Sequence, residues 1–422
     1  SRRTGRCRPS ARRDGRLRDP KIDYGGSLIA ETIVAHGVTH IFTLTGGHVA
    51  PVLVGCKAKG LAVIDVRHEV NTVFAADAYA RLTGIPGVAI VTAGPGITNT
   101  ITAVKNAQMA QSPVVVISGA TATVLKGRGA LQDIDQKSLM LPHIKKYYCP
   151  KTVRDLVPML ENAFMVAAKG LPGPVFMELP LDLLYPKSTV VDLYTKEIIG
   201  KPKRGLLNPA KWIQVYLRRH LKNLFAGLET IPDPKQQLAH TSYGSYKSSI
   251  STLFGWILKA KRPVLVIGAQ ATQDVFQLDN LINAVEAMGM PTYLTSMARG
   301  LMGRKHDLQK RHKRSASLKK SDLVILAGAP CDFRMGYGRS INSKAKYISI
   351  NLSKEHLYKN RKPDLAVLGQ PGHFLIKLAY RLSKSSSFIA HQNDWKAWFG
   401  DVNKREQARE DELQQQAKIK MT

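Results

Sequence analysis

The sequence predicts an α/β fold made of two doubly wound parallel-sheet domains joined by a linker. Three observations carry this reading. Short, β-branched apolar runs alternate with stretches of helical period along most of the chain. Most of these runs are apolar throughout instead of alternating, as a parallel sheet covered on both faces requires. A single proline-rich stretch, Lys187 to Ile250 with Pro202, Pro209, Pro232 and Pro234, interrupts the pattern.

Residues 1–20 hold eight arginines and almost nothing apolar. They read as a disordered basic tail, either solvated or anchored to phosphate groups. The first domain spans residues 21–187. Ile29, Ala30, Ile33 and Val34 recur at helical spacing, and Gly37 stops that helix. His40 to Leu44 is a strand ending in Gly46-Gly47-His48; His48 faces a ligand or serves the turn, and the sequence leaves both open. Ala62 to Val66 is a second strand, with the carboxylate of Glu69 just beyond it. Val70, Val73, Phe74 and Ala78 mark the buried face of the next helix. Gly87 to Thr92 is a strand that delivers the chain into Gly94-Pro95-Gly96, and a helix runs from Thr98 and Asn99 to Met109. Glycine in that turn permits close approach of backbone to a ligand. The turn is neither a P-loop nor a dinucleotide fingerprint. Strands at Pro113 to Ser118 and Pro174 to Leu179, with a helix from Val153 to Ala168, complete the domain. Ligands of open α/β sheets bind outside the carboxyl ends of the strands. Glu69 and the Gly94–Gly96 turn both fall there.

Residues 188–250 read as a linker carrying an amphipathic helix. Trp212, Ile213, Tyr216, Leu217, Leu221, Leu224 and Phe225 are assigned to its apolar face, with Lys211, Arg218, Arg219 and Lys222 around the rest. Such a helix lies on a membrane surface or packs across a domain junction. The second domain spans residues 251–385, with strands at Pro263 to Gly268, Pro291 to Leu294, Asp322 to Gly328, Lys346 to Asn351 and Leu365 to Gly369. Arg299 and Arg334 follow strand ends, where they hold a phosphate-bearing ligand or stand in exposed loops. Residues 386–422 read as a polar carboxyl-terminal tail without a core.

The formal charge is +31 over 422 residues. A basic balance points to nucleic acid, an anionic membrane or an anionic substrate. No nucleic-acid module is recognisable, so no specific nucleic-acid partner is expected. The four cysteines form no CxxC, which fits a reducing compartment. No run of about 18 apolar residues reads as a transmembrane helix, and no signal peptide is evident. The chain opens on Ser1, so a start and any targeting segment are expected upstream.

Arg67-His68-Glu69, Ala75-Ala76-Asp77-Ala78-Tyr79-Ala80-Arg81, Gly94-Pro95-Gly96-Ile97-Thr98-Asn99, and Ser112-Pro113 before an apolar strand and Gly119 together resemble the pyrimidine-binding domain of thiamine diphosphate enzymes. The likeness is to the acetolactate synthase-like branch, which includes 2-hydroxyacyl-CoA lyases, and covers about residues 22–385. It implies that Glu69 hydrogen-bonds the pyrimidine nitrogen N1′ and exchanges a proton with it, which a carboxylate can do and an amide cannot. It places Gly46, Gly47, His48, Gly94, Pro95, Gly96 and Asn99 around thiamine diphosphate. Gly129-Ala130-Leu131-Gln132-Asp133 resembles the segment whose glutamine lies near the reacting carbon, so Gln132 joins Glu69 as a catalytic candidate; Leu131 stands where the family has phenylalanine. Pro172-Gly173-Pro174-Val175-Phe176 and Glu178-Leu179-Pro180 match the segment closing that domain.

Met297-Ala298-Arg299-Gly300 and Gly328 to Arg334 resemble the family's Rossmann-like middle domain, which binds FAD in acetolactate synthases and the adenine nucleotide part of CoA in some lyases. Arg299 and Arg334 are the nucleotide candidates, with FAD or CoA left open. In this family Mg²⁺ and the diphosphate are held by a third domain through Gly-Asp-Gly and a downstream Asn. The sole Gly-Asp here is Gly400-Asp401, followed by Val402, so the Mg²⁺ ligands are not expected among these residues and no metal ligand is assigned. The chain alone is therefore expected not to turn over. The resemblance further implies a homodimer or tetramer, an acyl-CoA substrate and membrane association at the endoplasmic reticulum through an amino-terminal apolar segment not present here; without one, the location is cytoplasmic. A flavin-bearing acetolactate synthase and a non-catalytic binding or scaffold relative are the competing expectations.

Overall fold

The structure, a computed structural model, describes residues 24–194, 209–235 and 245–420. The predicted tail at residues 1–20 lies outside them. The chain forms two compact units, each built on one six-stranded sheet whose pairings are all parallel.

The first sheet comprises β1 (His40–Leu44), β2 (Ala62–Asp65), β3 (Gly87–Val91), β4 (Val114–Ala120), β5 (Tyr147–Tyr148) and β6 (Val175–Pro180), in the order β2-β1-β3-β4-β6-β5. The central strands β3, β4 and β6 are buried at every position, which explains their largely apolar composition; the exceptions, Ser118 and Glu178, are buried and hydrogen-bonded. Helices Gly25–Ala35 and Leu156–Ala168 cover one face, where Leu28, Ile33, Leu160 and Phe164 join Val88, Ile90, Val115 and Ile117 in one core. Helices Glu69–Thr83 and Ile101–Ala110 cover the other, with Val73, Ala76 and Val104 against Ala89, Val91 and Val116. The order reverses between β1 and β3, so the crevice of this sheet opens beyond the carboxyl ends of those strands.

The second sheet comprises β7 (Pro263–Ile267), β8 (Thr292–Leu294), β9 (Gln309–Lys310), β10 (Leu323–Ala327), β11 (Lys346–Asn351) and β12 (Leu365–Leu368), in the order β12-β11-β10-β7-β8-β9. This is the Rossmann order, reversing between β7 and β10. Two edge strands, β5 and β9, are missed by the sequence reading because two residues show no periodicity. The predicted helix from Thr98 to Met109 is divided into Pro95–Thr98 and Ile101–Ala110.

Two sequence readings need correction. Residues 188–250 are not simply a linker: Val190, Tyr194, Leu217, Leu221, Leu224, Phe225 and Ile231 belong to the core of the first unit. In the helix Pro209–Leu224, Leu217, Leu221 and Leu224 are buried, whereas Trp212, Ile213, Val215 and Tyr216 are exposed. With 3.6 residues per turn, Trp212 lies a third to a half turn away from that leucine stripe, so the single apolar face read from sequence is two faces. Residues 386–422 are not a coreless tail either. Phe388, Trp395, Trp398 and Val402 are buried in the second unit. The indole N–H groups of Trp395 and Trp398 donate to the carbonyls of Ala260 (2.7 Å) and Pro263 (3.0 Å), beside the start of β7. Widely spaced large apolar residues in a polar segment escape composition-based reading, yet each indole buries as much surface as several aliphatic groups. Among the described residues no helix is long and apolar enough to cross a membrane.

Candidate functional site

The loops leaving three strands of the first sheet, β1, β3 and β4, converge on one side chain, Thr92. It directly follows β3, and its Oγ1 donates toward Gln132 Oε1 at 3.3 Å and lies 3.4 Å from His48 Nδ1. A Cβ on Gly46 would stand 2.5 Å from the Cβ of Thr92, so the loop leaving β1 rests directly against it. Gly94 adopts φ 64°, ψ −113°, a conformation costly for any residue with a side chain, and a Cβ there would approach that of Gln132 to 2.9 Å. Gly119, near the end of β4, faces His48 as tightly, at 2.4 Å. Sequence reasoning missed Thr92. The available signal was a hydroxyl residue between a buried strand and a glycine turn.

Glu69 is the first residue of the helix Glu69–Thr83, where the aligned peptide dipoles favour a carboxylate. It is 9% exposed. Asn99 donates from Nδ2 to its Oε2 at 3.0 Å. No cation pairs with it among the described residues. The neighbouring Arg67 bonds Asp65 at the surface instead (2.9 Å). A largely buried carboxylate held by one neutral amide keeps its capacity to exchange a proton with a bound base. One turn thus joins the two catalytic candidates: Asn99 holds Glu69, and Gly94 abuts Gln132.

Gln132 itself has φ 60°, a left-handed conformation that costs about 1 kcal/mol or more without glycine. The loop carrying it is over-determined. Lys126 donates to Glu178 at 2.9 Å, Tyr147 donates to the other oxygen of that carboxylate at 2.6 Å, and Glu178 is 1% exposed. Gly127 N–H donates to Asp133, and Gln136 bonds both Ser118 (2.9 Å) and the Gly119 carbonyl (3.0 Å). Burial holds His48 below the ordinary histidine range, partly countered by its hydrogen bond to Gln132, so the imidazole is neutral near pH 7. Apart from Glu69 the candidate residues Gly46, Gly47, His48, Gly94, Pro95, Gly96, Asn99 and Gln132 carry no charge at that pH. Gly47 has open space at its Cβ position, and Pro95 begins the short helix Pro95–Thr98.

The second unit holds a cleft of about 280 Å³ lined by Tyr293, Leu294, Arg299, Gln309, Lys310, Arg311 and Arg314, at the ends of β8 and β9. Burial, then the charge of Arg299, pushes the Arg314 guanidinium down from its usual value, so cations crowd here. Glu406 braces the cleft from behind, accepting from the backbone N–H groups of Arg311 (2.8 Å) and His312 (2.9 Å). Arg299 stands in this cleft. Arg334 adjoins the cleft through its backbone carbonyl, which accepts from Arg314 Nη2, but its guanidinium is already engaged: its Nε and Nη2 donate to the two oxygens of Asp332 at 3.0 and 2.6 Å, and its Nη1 to Ser296 Oγ at 2.7 Å. Among the described residues no cluster of three or more His, Cys, Asp or Glu side chains is arranged to hold a metal.

Residues 24–139 match the family described as thiamine pyrophosphate enzyme, N-terminal TPP binding domain, and residues 250–378 its central domain. The chain belongs to the thiamine pyrophosphate enzymes. It is 46% identical over 364 residues to a zebrafish (Danio rerio) 2-hydroxyacyl-CoA lyase 2, covering 85% of this chain and 58% of the relative. The human protein of that name is 47% identical over 362 residues, covering 85% and 56%. An acetolactate synthase large subunit from Mycobacterium tuberculosis is 29% identical over 336 residues, covering 79% and 54%. The chain spans somewhat over half the length of these relatives.

Proposed function

We propose that this chain supplies the pyrimidine-binding half of a thiamine diphosphate site and a nucleotide-binding unit in an enzyme that cleaves 2-hydroxyacyl-CoA to a fatty aldehyde and formyl-CoA. The observation that carries the reading is Glu69, largely buried at a helix start beside the switch point of a parallel sheet and held by the neutral amide of Asn99. Names shared by relatives at 46–47% identity support the reaction class.

The residues fit the cofactor. Gly47 has open space at its Cβ position, Gly46 and Gly94 let Thr92 and Gln132 close in beside it, and the candidate donors are neutral apart from the carboxylate that a ring nitrogen needs. When bound, thiamine diphosphate supplies a carbanion that attacks and cleaves next to a carbonyl. Glu69 exchanges the proton at the pyrimidine nitrogen. Asn99 holds that carboxylate by one oxygen. Gly46, Gly47, His48 and the Gly94–Gly96 turn, Pro95 included, shape the ring's cradle. Gln132 presents a neutral amide beside the reacting carbon, and neutral His48 adds no charge that would compete with Glu69 for the ring. In the second unit, Arg299 with Lys310, Arg311 and Arg314 receives the phosphates of the CoA nucleotide, a task for which Arg334, already paired with Asp332, is less suited. Diphosphate and Mg²⁺ would be held by groups other than those assigned here. On this reading the 422 residues do not turn over by themselves and the active assembly is a dimer or tetramer.

The test uses this sequence joined to, or mixed with, a thiamine-diphosphate-binding third domain. Glu69→Gln should lower kcat by about 10³-fold with little change in KM, the scale of a lost proton-transfer group. Equal activity in Glu69→Gln would overturn the reading. Bound yellow flavin and condensation of 2-oxo acids would favour the acetolactate synthase alternative, to which the 29% match lends support.

A further inference from the structure

We propose that the outward face of the helix Pro209–Leu224 docks the chain on an anionic lipid surface. One side of this helix is fixed to the first unit. Leu217, Leu221 and Leu224 are buried in its core, and His220 Nε2 lies 2.9 Å from Thr123 Oγ1, which in turn donates to the buried Asp182. The other side carries Trp212, Val215 and Tyr216, exposed by 74, 60 and 61%. Three large apolar side chains within two turns of a helix so mounted form a patch of the kind that marks an interaction surface.

Charge selects the occupant. Arg218, Arg219 and Lys222 are exposed around the same patch, and no carboxylate among the described residues pairs with them. A second copy of the chain seated on this face would set these cations against their own kind across a two-fold contact. A bilayer bearing anionic headgroups meets both features. Tryptophan and tyrosine seat at the headgroup level with their polar edges wet, valine reaches the acyl boundary, and the arginines and lysine neutralise phosphates. The surface needs no membrane-spanning segment, and it stands independently of the reaction proposed above.

Sedimentation of the full chain with vesicles tests this, comparing phosphatidylcholine alone with phosphatidylcholine containing phosphatidylserine. Binding is expected only to the second. Arginines near the amino terminus also attract anionic vesicles, so the decisive comparison is within the helix. R218E/R219E/K222E and, separately, W212S/Y216S should each weaken binding by about tenfold or more. Because all five side chains are exposed, both variants should keep the wild-type melting temperature. If either unfolds, quenching by brominated lipid decides: wild type should be quenched and W212F much less so. Undiminished binding by the folded helix variants, absence of binding to anionic vesicles, no lipid quenching of Trp212, or a solution dimer broken by W212S/Y216S would each overturn the proposal.

Discussion

The two sheets share parallel strands and a switch point, yet they present opposite chemistry. In the first unit the candidate site lies beside the switch point between β1 and β3, where glycine backbone and neutral side chains gather around one carboxylate. In the second the switch point between β7 and β10 is filled. A Cβ on Gly268 would meet the Gly328 carbonyl at 2.4 Å, and buried Gln270 bonds Asn351 (2.9 Å) and the Leu352 N–H (3.0 Å). The cleft moves outward to the ends of β8 and β9, where it gathers four cations. Strand order marks where a crevice can open; the loops leaving the strands decide whether it does and which charge it carries.

The largest effect that would sharpen this contrast is steric. The first crevice is tight, so Gly46→Ala should lower stability by about 2–4 kcal/mol, the range for a forced overlap in a packed site. Gly300, beside the cationic cleft, has nothing within 4 Å of its Cβ position, and Gly300→Ala should stay within about 0.5 kcal/mol. Denaturant melts of the two variants decide; equal losses would erase the distinction.

The next effect is kinetic and needs the assembled enzyme. Asn99→Ala should reduce kcat by about 10- to 100-fold at nearly constant KM, because it frees Glu69 without removing it. Arg299→Ala should raise KM for an acyl-CoA by about tenfold at nearly constant kcat, and that increase should shrink in high salt. If both variants altered the same parameter, the separation into a chemical crevice and a binding cleft would fail.

The smallest effect is a pH dependence. Burial holds His48 and His36 below the ordinary value of 6.5 in the folded chain, so the unfolded chain takes up the proton first. Their contribution is whole above about pH 6.5 and is lost as pH falls through the lower folded value. Stability of the first unit should decline over that window, and His48→Gln should flatten part of the decline. A melting profile unchanged by this variant would show that His48 is not held neutral.

Much of this molecule was legible in its residues. Unbroken apolar runs at β3, β4, β7 and β10 announced strands buried on both sides, because no other soluble element needs that composition. Glu69 and the Gly94–Gly96 turn were visible as chemistry at strand ends, and the family to which they point is the one the chain belongs to. Contacts remote in sequence were not legible. Thr92 gains its place only when Gly46, His48 and Gln132 are folded around it, since a hydroxyl after a strand looks the same wherever it occurs. Trp395 and Trp398 sit in a polar stretch, and their burial follows from carbonyls more than 130 residues away. Arg299 and Arg334 looked alike as loop arginines, and the carboxylate of Asp332 separates them. Local pattern reports what a segment can bury; tertiary structure alone decides which partner covers it, because that choice depends on groups the segment does not contain.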